Sequence, residues 1–315
     1  MAPTIRVKVG TRESRLALWQ TEWVVNQLAG AHPDREFVYV HIKTKGDKIL
    51  DSPLATIGDR GLFVKEIEEA LLAGEVDLAV HSMKDVPTEV RAGLTIAAIT
   101  RRADPRDCLL SRRHASFAAL PAGAKVGTSS LRRVAQLKAV RPDLEFVPIR
   151  GNLDTRLHKL ETLGLDALVL AAAGLERLGL TDLVVERLSP ELCLPAVGQG
   201  ALGVETRAED KETMALVKAL ADPATTACVL AERAFLAALE GGCQVPIGAL
   251  AVLEGGELRL CGAVASLDGS KLVRGERRGP REEAEAVGRA LGEDLLSRGG
   301  REILTAIRVE GKSKA

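Results

Sequence analysis

Cationic and small polar side chains recur in this sequence directly after short apolar runs. They are Arg12, Ser14, Lys84, Thr128, Ser129, Ser130, Arg132, Arg133, Arg150, Asn152, Arg156 and Arg177. The planar guanidinium of arginine is the preferred bidentate partner of carboxylates and phosphates. A single surface arginine is usually solvated, but a pattern repeated over several segments is hard to attribute to chance. It predicts a site for a ligand that carries several carboxylates or phosphates.

The segment GTSSLRR, which begins at Gly127, looks like the start of a phosphate-binding helix. It lacks the GK[ST] ending of the Walker motif, and no G-x-G-x-x-G segment follows a predicted strand. Nucleotide binding therefore fits the sequence poorly.

Asp85 follows Lys84 in the segment HSMKDVP and is the carboxylate among these cations. One interpretation is a surface ion pair with Lys84, which would contribute little. The other is a carboxylate inside a cationic site, where neighbouring arginines favour its charged form. Such a group could stabilise a developing cation or hold a ligand N–H. The residues alone leave both interpretations open.

Cys243 follows Gly241 and Gly242 at the end of a predicted helix. A free cysteine is most often a small buried residue, but a Gly-Gly loop makes an exposed, reactive thiol plausible. None of the five histidines forms a protease-type arrangement with it. The five cysteines are scattered without a C-x-x-C pair, so we expect neither a disulfide framework nor a metal site.

Apolar residues at alternating and helical spacing predict the elements that position these side chains. Strands are predicted at 5–9, 37–42, 76–80, 125–127, 145–149 and 166–170. Helices are predicted at 16–28 and 62–72, and from positions near 131, 155 and 175. This alternation predicts two α/β lobes with buried parallel strands. Ligands of such sheets gather beyond the carboxyl ends of the strands, which is where the cations follow.

The tetrapeptide KVGT occurs at 8–11 and again at 125–128, at the end of the first predicted strand of each lobe. A duplicated lobe would explain this repeat, and so would a chance match.

The C-terminal part of the chain has a different pattern. Asp222 and Pro223 predict the cap and first residue of a helix that ends near Glu240. Turn residues at 254–256 and 268–269 separate three predicted strands, and an amphipathic helix is predicted at 281–298. These elements predict a small antiparallel α+β domain.

Charge and hydropathy exclude several classes of protein. The 315 residues include 43 Lys and Arg and 43 Asp and Glu, so the basic excess of a nucleic-acid-binding protein is absent. No apolar run approaches the roughly 18–20 residues that a membrane span needs. The N-terminal residues lack a signal-peptide core. We therefore expect a cytoplasmic protein with no nucleic-acid or membrane partner.

Eight segments resemble the porphobilinogen deaminase (hydroxymethylbilane synthase) family and occur in the family's order. They are GTRESRLALWQ, GLFVKEIEEALL, HSMKDVPTE, GTSSLRR, RGNLDTRLHKL, AAAGLERLG, AVGQGALGVE and GGCQVPIGA. The resemblance covers nearly the whole chain. Leu153 and His158 vary within their segment, and the part after Leu250 carries little family signature.

The resemblance implies a transferase that joins four porphobilinogen molecules head to tail, releasing ammonia, to give hydroxymethylbilane. It implies a dipyrromethane cofactor, held through a thioether to Cys243. Each substrate carries two carboxylates, so the growing chain is a polyanion that suits an arginine-lined site. A monomer is expected. The competing hypothesis is a non-catalytic anion-binding receptor or effector-sensing module with the same lobes.

The resemblance also implies a role for each candidate residue. Asp85 is similar to the family's catalytic aspartate. The implied cofactor ligands are Lys84, Ser129, Arg132 and Arg133, with Ser14 and Thr128 close by, and the implied substrate ligands are Arg12, Arg150, Arg156 and Arg177. Phe63 either stacks on a pyrrole ring or packs in the core.

The implied fold is two lobes like those of periplasmic binding proteins around a central cleft, with a third domain that presents Cys243. We expect a first lobe at 1–100 and 199–220, a second at 101–198 and a C-terminal domain at 221–315. The segment GQGALGVE would return the chain to the first lobe.

Overall fold

The structure is a computed structural model that describes residues 5–48, 61, 64–240 and 245–313. Phe63 and Cys243 lie outside the described residues. The chain divides into two compact units. Within the described residues, the first unit comprises 5–48, 61, 64–103 and 201–226, and the second comprises 104–200, 227–240 and 245–313.

The helices and strands follow one another in an alternating order through most of the chain. They are β1 (Ile5–Thr11), α1 (Arg15–Ala31), β2 (Arg35–His41), α2 (Lys45–Lys48), α3 (Lys65–Leu72), β3 (Leu78–Ser82), β4 (Leu94–Ile99), β5 (Asp107–Leu110), β6 (Lys125–Gly127), α4 (Leu131–Val140), β7 (Glu145–Val147), α5 (Leu153–Thr162), β8 (Ala167–Ala171), α6 (Ala172–Arg177), β9 (Val184–Arg187), β10 (Leu202–Arg207), α7 (Lys211–Val217), α8 (Pro223–Ala238), β11 (Ile247–Glu254), β12 (Glu257–Ala265), β13 (Leu272–Pro280), α9 (Ala284–Leu295) and α10 (Arg301–Ser313).

The first unit contains a five-stranded sheet in the order β2-β1-β3-β10-β4. Strand β1 is parallel to both β2 and β3, as the sequence predicts. Strand β10 is antiparallel to β3 and β4, so the sheet is mixed. Strand β10, which begins within the segment GQGALGVE, joins this sheet from a distant part of the chain. Apolar residues of β1, β3 and β10 pack against α1, and this packing forms the unit's main core.

The second unit contains a sheet with the corresponding order, β7-β6-β8-β5-β9. Strand β6 is parallel to β7 and β8, while β5 is antiparallel to β8 and β9. This sheet is therefore mixed as well. The two sheets agree strand by strand, including the antiparallel fourth strand, and this agreement favours a duplicated lobe over a chance repeat of KVGT.

The C-terminal elements form an antiparallel three-stranded sheet in the order β11-β12-β13. Helices α8 and α9 cover it, and Phe235 of α8 packs so closely that a Cβ on Gly262 would lie 2.5 Å from its ring. The predicted helix at 281–298 instead begins as α9 at Ala284. It breaks where Gly299 adopts a φ of 108°, and α10 follows. The predicted α/β class, with two lobes and a small C-terminal α+β domain, is confirmed.

Among the described residues, no single helix combines the length and apolarity of a membrane span. One bent pair, Lys211–Leu220 with Pro223–Ala238, meets that criterion only when its two helices are joined.

Candidate functional site

In the first unit, the predicted site residues follow two neighbouring parallel strands. Arg12 and Ser14 come after β1, and Lys84 and Asp85 come after β3. Because β1 and β3 are paired in parallel, their carboxyl ends lie at the same edge of the sheet. The structure therefore brings these four residues to one edge, where Arg12, Lys84 and Asp85 are half-buried.

Local packing fixes the segment that holds Lys84 and Asp85. Residues Met83–Asp85 form a 3₁₀ turn, and Met83 is buried with its N–H donating to the carbonyl of Ala201 at 3.0 Å. A Cβ on Gly203 of β10 would overlap the Met83 sulfur, so glycine is required there for Met83 to pack. Ser14 has a structural role of its own, because its hydroxyl caps α1 by accepting from the Ala17 N–H at 3.3 Å.

In the second unit, the predicted residues gather at the carboxyl edge of β7, β6 and β8. Thr128 and Ser129 follow β6, and the Ser129 hydroxyl donates to the Ile149 carbonyl, beyond β7, at 2.5 Å. Ser130 caps α4 and Asn152 caps α5. Gly151 has a φ of 115°, and a Cβ there would lie 2.5 Å from Thr155 Cγ2, so this tight turn into α5 needs glycine.

Arg132 and Arg133 lie in the first turn of α4 and are buried, with relative exposures of 5% and 6%. Their guanidiniums share the carboxylate of Asp107. Arg132 Nη1 donates to Oδ2 at 2.7 Å, and Arg133 Nη2 donates to Oδ1 at 2.7 Å. Burial alone would raise the pKa of Asp107, but the two guanidiniums lower it far below its usual value. The positive end of the α4 dipole disfavours cations here, and Asp107 offsets part of that cost.

The other three predicted arginines of this unit are half-buried. Arg156 Nε donates to the Gly151 carbonyl at 2.8 Å, and the Arg150 carbonyl accepts from Lys159 Nζ at 3.0 Å. Arg177, at the end of α6, donates through Nη2 to the Gly200 carbonyl at 2.7 Å. Burial lowers the pKa of the Arg177 guanidinium to about 10, so it remains charged at neutral pH.

Comparison with known proteins matches almost the whole chain. Residues 7–215 match the family described as "porphobilinogen deaminase, dipyromethane cofactor binding domain", and residues 226–297 match its C-terminal domain. The chain is 54% identical over 302 residues to the porphobilinogen deaminase of Carboxydothermus hydrogenoformans, covering 96% of this chain and 97% of the relative. It is 55% identical over 302 residues to that of Geobacter sulfurreducens, covering 96% and 95%.

The chain belongs to the porphobilinogen deaminase family. The predicted enzyme, a transferase that makes hydroxymethylbilane from porphobilinogen with a dipyrromethane cofactor, is thereby confirmed. The comparisons favour it over the anion-binding receptor.

Comparison with solved structures finds binding proteins of low sequence identity. The aliphatic sulphonate binding protein of Escherichia coli matches with a TM-score of 0.41 and 14% identity, covering 76% of this chain and 71% of that protein. The methionine binding protein matches with a TM-score of 0.45 and 13% identity, covering 68% and 89%.

The Arg133 side chain is a suitable hydrogen-bond donor for the carboxylates of the porphobilinogen deaminase cofactor. Arg133 Nε is buried and has no hydrogen-bond partner within the part of the chain that the structure describes. A buried donor without an acceptor is costly, and an anionic oxygen would satisfy it. The residues present therefore fit a ligand with carboxylates.

Four cysteines are free thiols within the described residues. Cys108, Cys193 and Cys228 are buried. Burial raises the pKa of Cys108 to about 11 and that of Cys193 to about 12. The thiolate is the reactive form, so these two thiols are poor nucleophiles. No group of three His, Cys, Asp or Glu side chains in the described segments is arranged to hold a metal ion.

Sequence reasoning missed Asp107, which holds Arg132 and Arg133. Asp107 begins β5, a strand that was not predicted because its apolar run, CLL, is only three residues long. The available signal was an aspartate directly before that run in the segment PRDCLL. A charged residue next to buried positions needs a partner, and the arginine pair of GTSSLRR is a suitable one.

Proposed function

We propose that Asp85 is the catalytic residue of hydroxymethylbilane synthesis and that the cations at the two sheet edges hold its acidic ligands. One observation carries this proposal. In each sheet, the cations lie at the carboxyl edge of the parallel strands. Two of the cations at the second sheet are buried, and the buried positive charge there exceeds the buried negative charge.

The cofactor anchor is Cys243 in this proposal. The raised pKa values of Cys108 and Cys193 argue against adduct formation at those sites, while family resemblance favours GGCQVP. When bound, the dipyrromethane supplies the free pyrrole carbon to which the first substrate unit is joined.

The cations divide into two groups with different ligands. Lys84, Ser129, Arg132 and Arg133 hold the cofactor carboxylates, with Ser14 and Thr128 nearby. Arg12, Arg150, Arg156 and Arg177 hold the carboxylates of the incoming and growing substrate chain. Arginine suits this task because its planar fork binds both oxygens of a carboxylate.

Asp85 acts on the substrate's pyrrole. Loss of ammonia from porphobilinogen leaves a cation that is delocalised onto the pyrrole nitrogen. A carboxylate that accepts the pyrrole N–H stabilises that cation more than it stabilises neutral substrate, and this difference accelerates the reaction.

We further propose a cytoplasmic monomer that binds neither nucleic acid nor membrane, with the domain boundaries that the sequence predicts. The free thiols of the described cysteines suit a reducing compartment. Equal numbers of acidic and basic residues argue against a nucleic-acid partner.

Peptide mapping of the purified protein tests the anchor. We expect the dipyrromethane mass on the peptide that contains Cys243, and expect incubation with porphobilinogen to yield uroporphyrin after acid treatment and oxidation. Cys243→Ser should carry no adduct and give no product, whereas Cys261→Ser should carry the adduct and remain active. An adduct mapped to Cys108, Cys193, Cys228 or Cys261 would contradict the assignment.

A further inference from the structure

Asp107 is a carboxylate with no exposed surface, and donors surround it on several sides. Besides the two arginines, Gln199 Nε2 donates to Oδ1 at 2.9 Å and the Cys193 thiol donates to Oδ2 at 3.5 Å. Such saturation holds the carboxylate in a single orientation. The Asp107 carboxylate therefore has a fixed orientation, and it can orient the neighbouring guanidiniums.

Each guanidinium is also fixed by a backbone carbonyl. Arg132 Nη1 donates to the Leu194 carbonyl at 2.7 Å as well as to Asp107. Arg133 Nη1 donates to the Val169 carbonyl at 2.9 Å, while its Nη2 donates to Asp107. A guanidinium is planar, so fixing two of its N–H directions fixes the others. The direction of the buried Arg133 Nε–H is therefore set by Asp107 and Val169.

The charges of Asp107, Arg132 and Arg133 do not cancel. Two guanidiniums carry two positive charges and Asp107 carries one negative charge, so one positive charge is left over in a buried place. Buried charge without a counterion is costly. The excess charge and the buried Arg133 Nε, which has no hydrogen-bond partner among the described residues, both favour the binding of an anion.

We propose that Asp107 is a positioning residue for the cofactor carboxylates, because it orients Arg132 and Arg133 so that their remaining N–H groups face a bound carboxylate. This inference rests on the proposed function, which makes these arginines cofactor ligands. Asp107 itself does not touch the cofactor in this proposal. It acts through the two arginines.

A second role for Asp107, charge neutralisation alone, makes the opposite prediction. If Asp107 only reduced the positive charge, its removal would make the site more cationic and would strengthen carboxylate binding. If Asp107 orients the arginines, its removal frees the guanidiniums and weakens carboxylate binding. The sign of the effect therefore separates the two roles.

The experiment uses full-length apoprotein of Asp107→Asn, which keeps the size of the side chain and removes its charge. The apoprotein is exposed to porphobilinogen, and adduct formation is followed by intact mass. We expect the adduct to form about 10- to 100-fold more slowly than in the unsubstituted protein, by analogy with the loss seen when the residues that orient metal ligands are removed. Molecules that do carry the adduct should keep their KM for porphobilinogen, since the substrate-side arginines are unchanged. A folded variant that forms the adduct at an equal or faster rate would overturn the proposal.

Gln199→Leu provides a second test should Asp107→Asn not fold. This change removes one donor to Asp107 and leaves all three charges in place. We expect the adduct to form more slowly than in the unsubstituted protein, with a smaller decrease in rate than for Asp107→Asn. An unchanged rate would contradict the proposal.

Asp166→Asn is the matched control. Asp166 is in the same unit and binds Arg113 at 2.8 Å, but it lies next to the amino ends of β6 and β8, at the opposite edge of the sheet. Its loss should lower stability and leave the rate of adduct formation unchanged. A matching fall in rate would show that Asp107 acts through stability alone.

Arg132→Leu separates failure of this inference from failure of the proposed function. If Arg132→Leu forms the adduct normally, Arg132 is not a cofactor ligand and that part of the proposed function is wrong. If Arg132→Leu loses the adduct while folded Asp107→Asn keeps it, only the positioning role is wrong.

Discussion

At the scale of single residues, burial separates the arginines of this site into two kinds. Arg132 and Arg133 are almost fully buried and share Asp107, whereas Arg150, Arg156 and Arg177 are half-buried. A rigid pair suits a ligand that stays in place, and less enclosed arginines suit a ligand that is extended step by step. The proposed division of labour among the arginines therefore has a physical basis.

Asp85→Asn tests the catalytic carboxylate. The change keeps size and some hydrogen bonding but removes the charge that stabilises the substrate cation. We expect turnover to fall by about 100-fold or more, the size of effect seen when one electrostatic stabiliser is removed. The measurement is the rate of product formation by protein that mass analysis shows to be loaded with cofactor.

Asp34→Asn is the control for this prediction, because Asp34 is an exposed carboxylate of the same unit that pairs with Arg35. It should turn over normally. Near-normal turnover by cofactor-loaded Asp85→Asn would show that Asp85 is not the catalytic residue.

Arg156→Leu tests the division of labour between the arginines. We expect this variant to carry the cofactor but to stall during elongation, so that intact mass shows intermediates with fewer than four added pyrroles. Arg156→Lys should restore elongation only in part, because an ammonium cannot reproduce the planar fork. Recovery of Arg156→Leu as bare apoprotein would show that this arginine serves the cofactor instead.

At the scale of elements, the packing of one strand against one turn controls where Lys84 and Asp85 lie. Gly203 of β10 leaves room for Met83, whose burial anchors the 3₁₀ turn. In Gly203→Ala, the added methyl would overlap Met83 and push the turn away from its position. We expect a loss of about 1–3 kcal/mol in the free energy of unfolding, typical of overpacking, together with lower turnover.

Gly30→Ala is the matched control, since Gly30 lies in α1 of the same unit and its added Cβ would meet nothing within 4 Å. It should raise the free energy of unfolding by about 0.5–1 kcal/mol, because alanine favours a helix. Activity should be unchanged. Full activity in Gly203→Ala would show that the turn does not depend on Met83 packing.

Local sequence patterns identify several strands of each sheet but not the strands that join it from a distant part of the chain. Strands β1, β3 and β8 carry apolar residues at the alternating or continuous spacing that is typical of a strand. Strands β5 and β10 join their sheets across long sequence separations, and no local pattern gives the direction of such a strand.

The antiparallel direction of β5 also explains why Asp107 is not among the residues that follow predicted strands. Because β5 is antiparallel to β8, its first residue, Asp107, pairs with Ala171 at the last position of β8. The amino end of β5 therefore lies at the carboxyl edge of the parallel strands. A residue that precedes an antiparallel strand occupies the same edge as residues that follow parallel ones, and only the topology shows this.

At the scale of the whole molecule, ionisable groups that are wholly or partly buried define the pH range over which the fold is stable. Burial opposes charge on Asp104 and Asp107, but neighbouring arginines lower the pKa of both below the ordinary value of 3.8. Their folded forms hold a proton less tightly than their unfolded forms do. The stability that they contribute is complete above about pH 5 and is lost as the pH falls through their lowered folded pKa values.

The buried thiols limit stability at the alkaline end. Burial raises the pKa of Cys108 to about 11 and that of Cys193 to about 12, from an ordinary value of 9.0. Between these values the unfolded thiol loses its proton while the folded thiol keeps it, so stability falls as the pH rises. Each group lowers the free energy of unfolding by about 1.4 kcal/mol per pH unit in that window. Below about pH 8 this loss should be absent.

Cys108→Ala tests this alkaline loss, and Cys108 suits the test because it lies outside the arginine cluster that Cys193 contacts. The variant should be less stable at pH 7, because a buried side chain is made smaller. Between pH 8 and pH 10, the free energy of unfolding should fall for both proteins. The fall should be about 1 kcal/mol smaller for the variant, since one ionising thiol has been removed. Urea unfolding at several pH values measures both effects. Cys261→Ala is the control, because Cys261 is only partly buried, although burial raises its pKa as well. Parallel pH profiles for Cys108→Ala and the unsubstituted protein would show that this thiol ionises equally in the folded and unfolded chains.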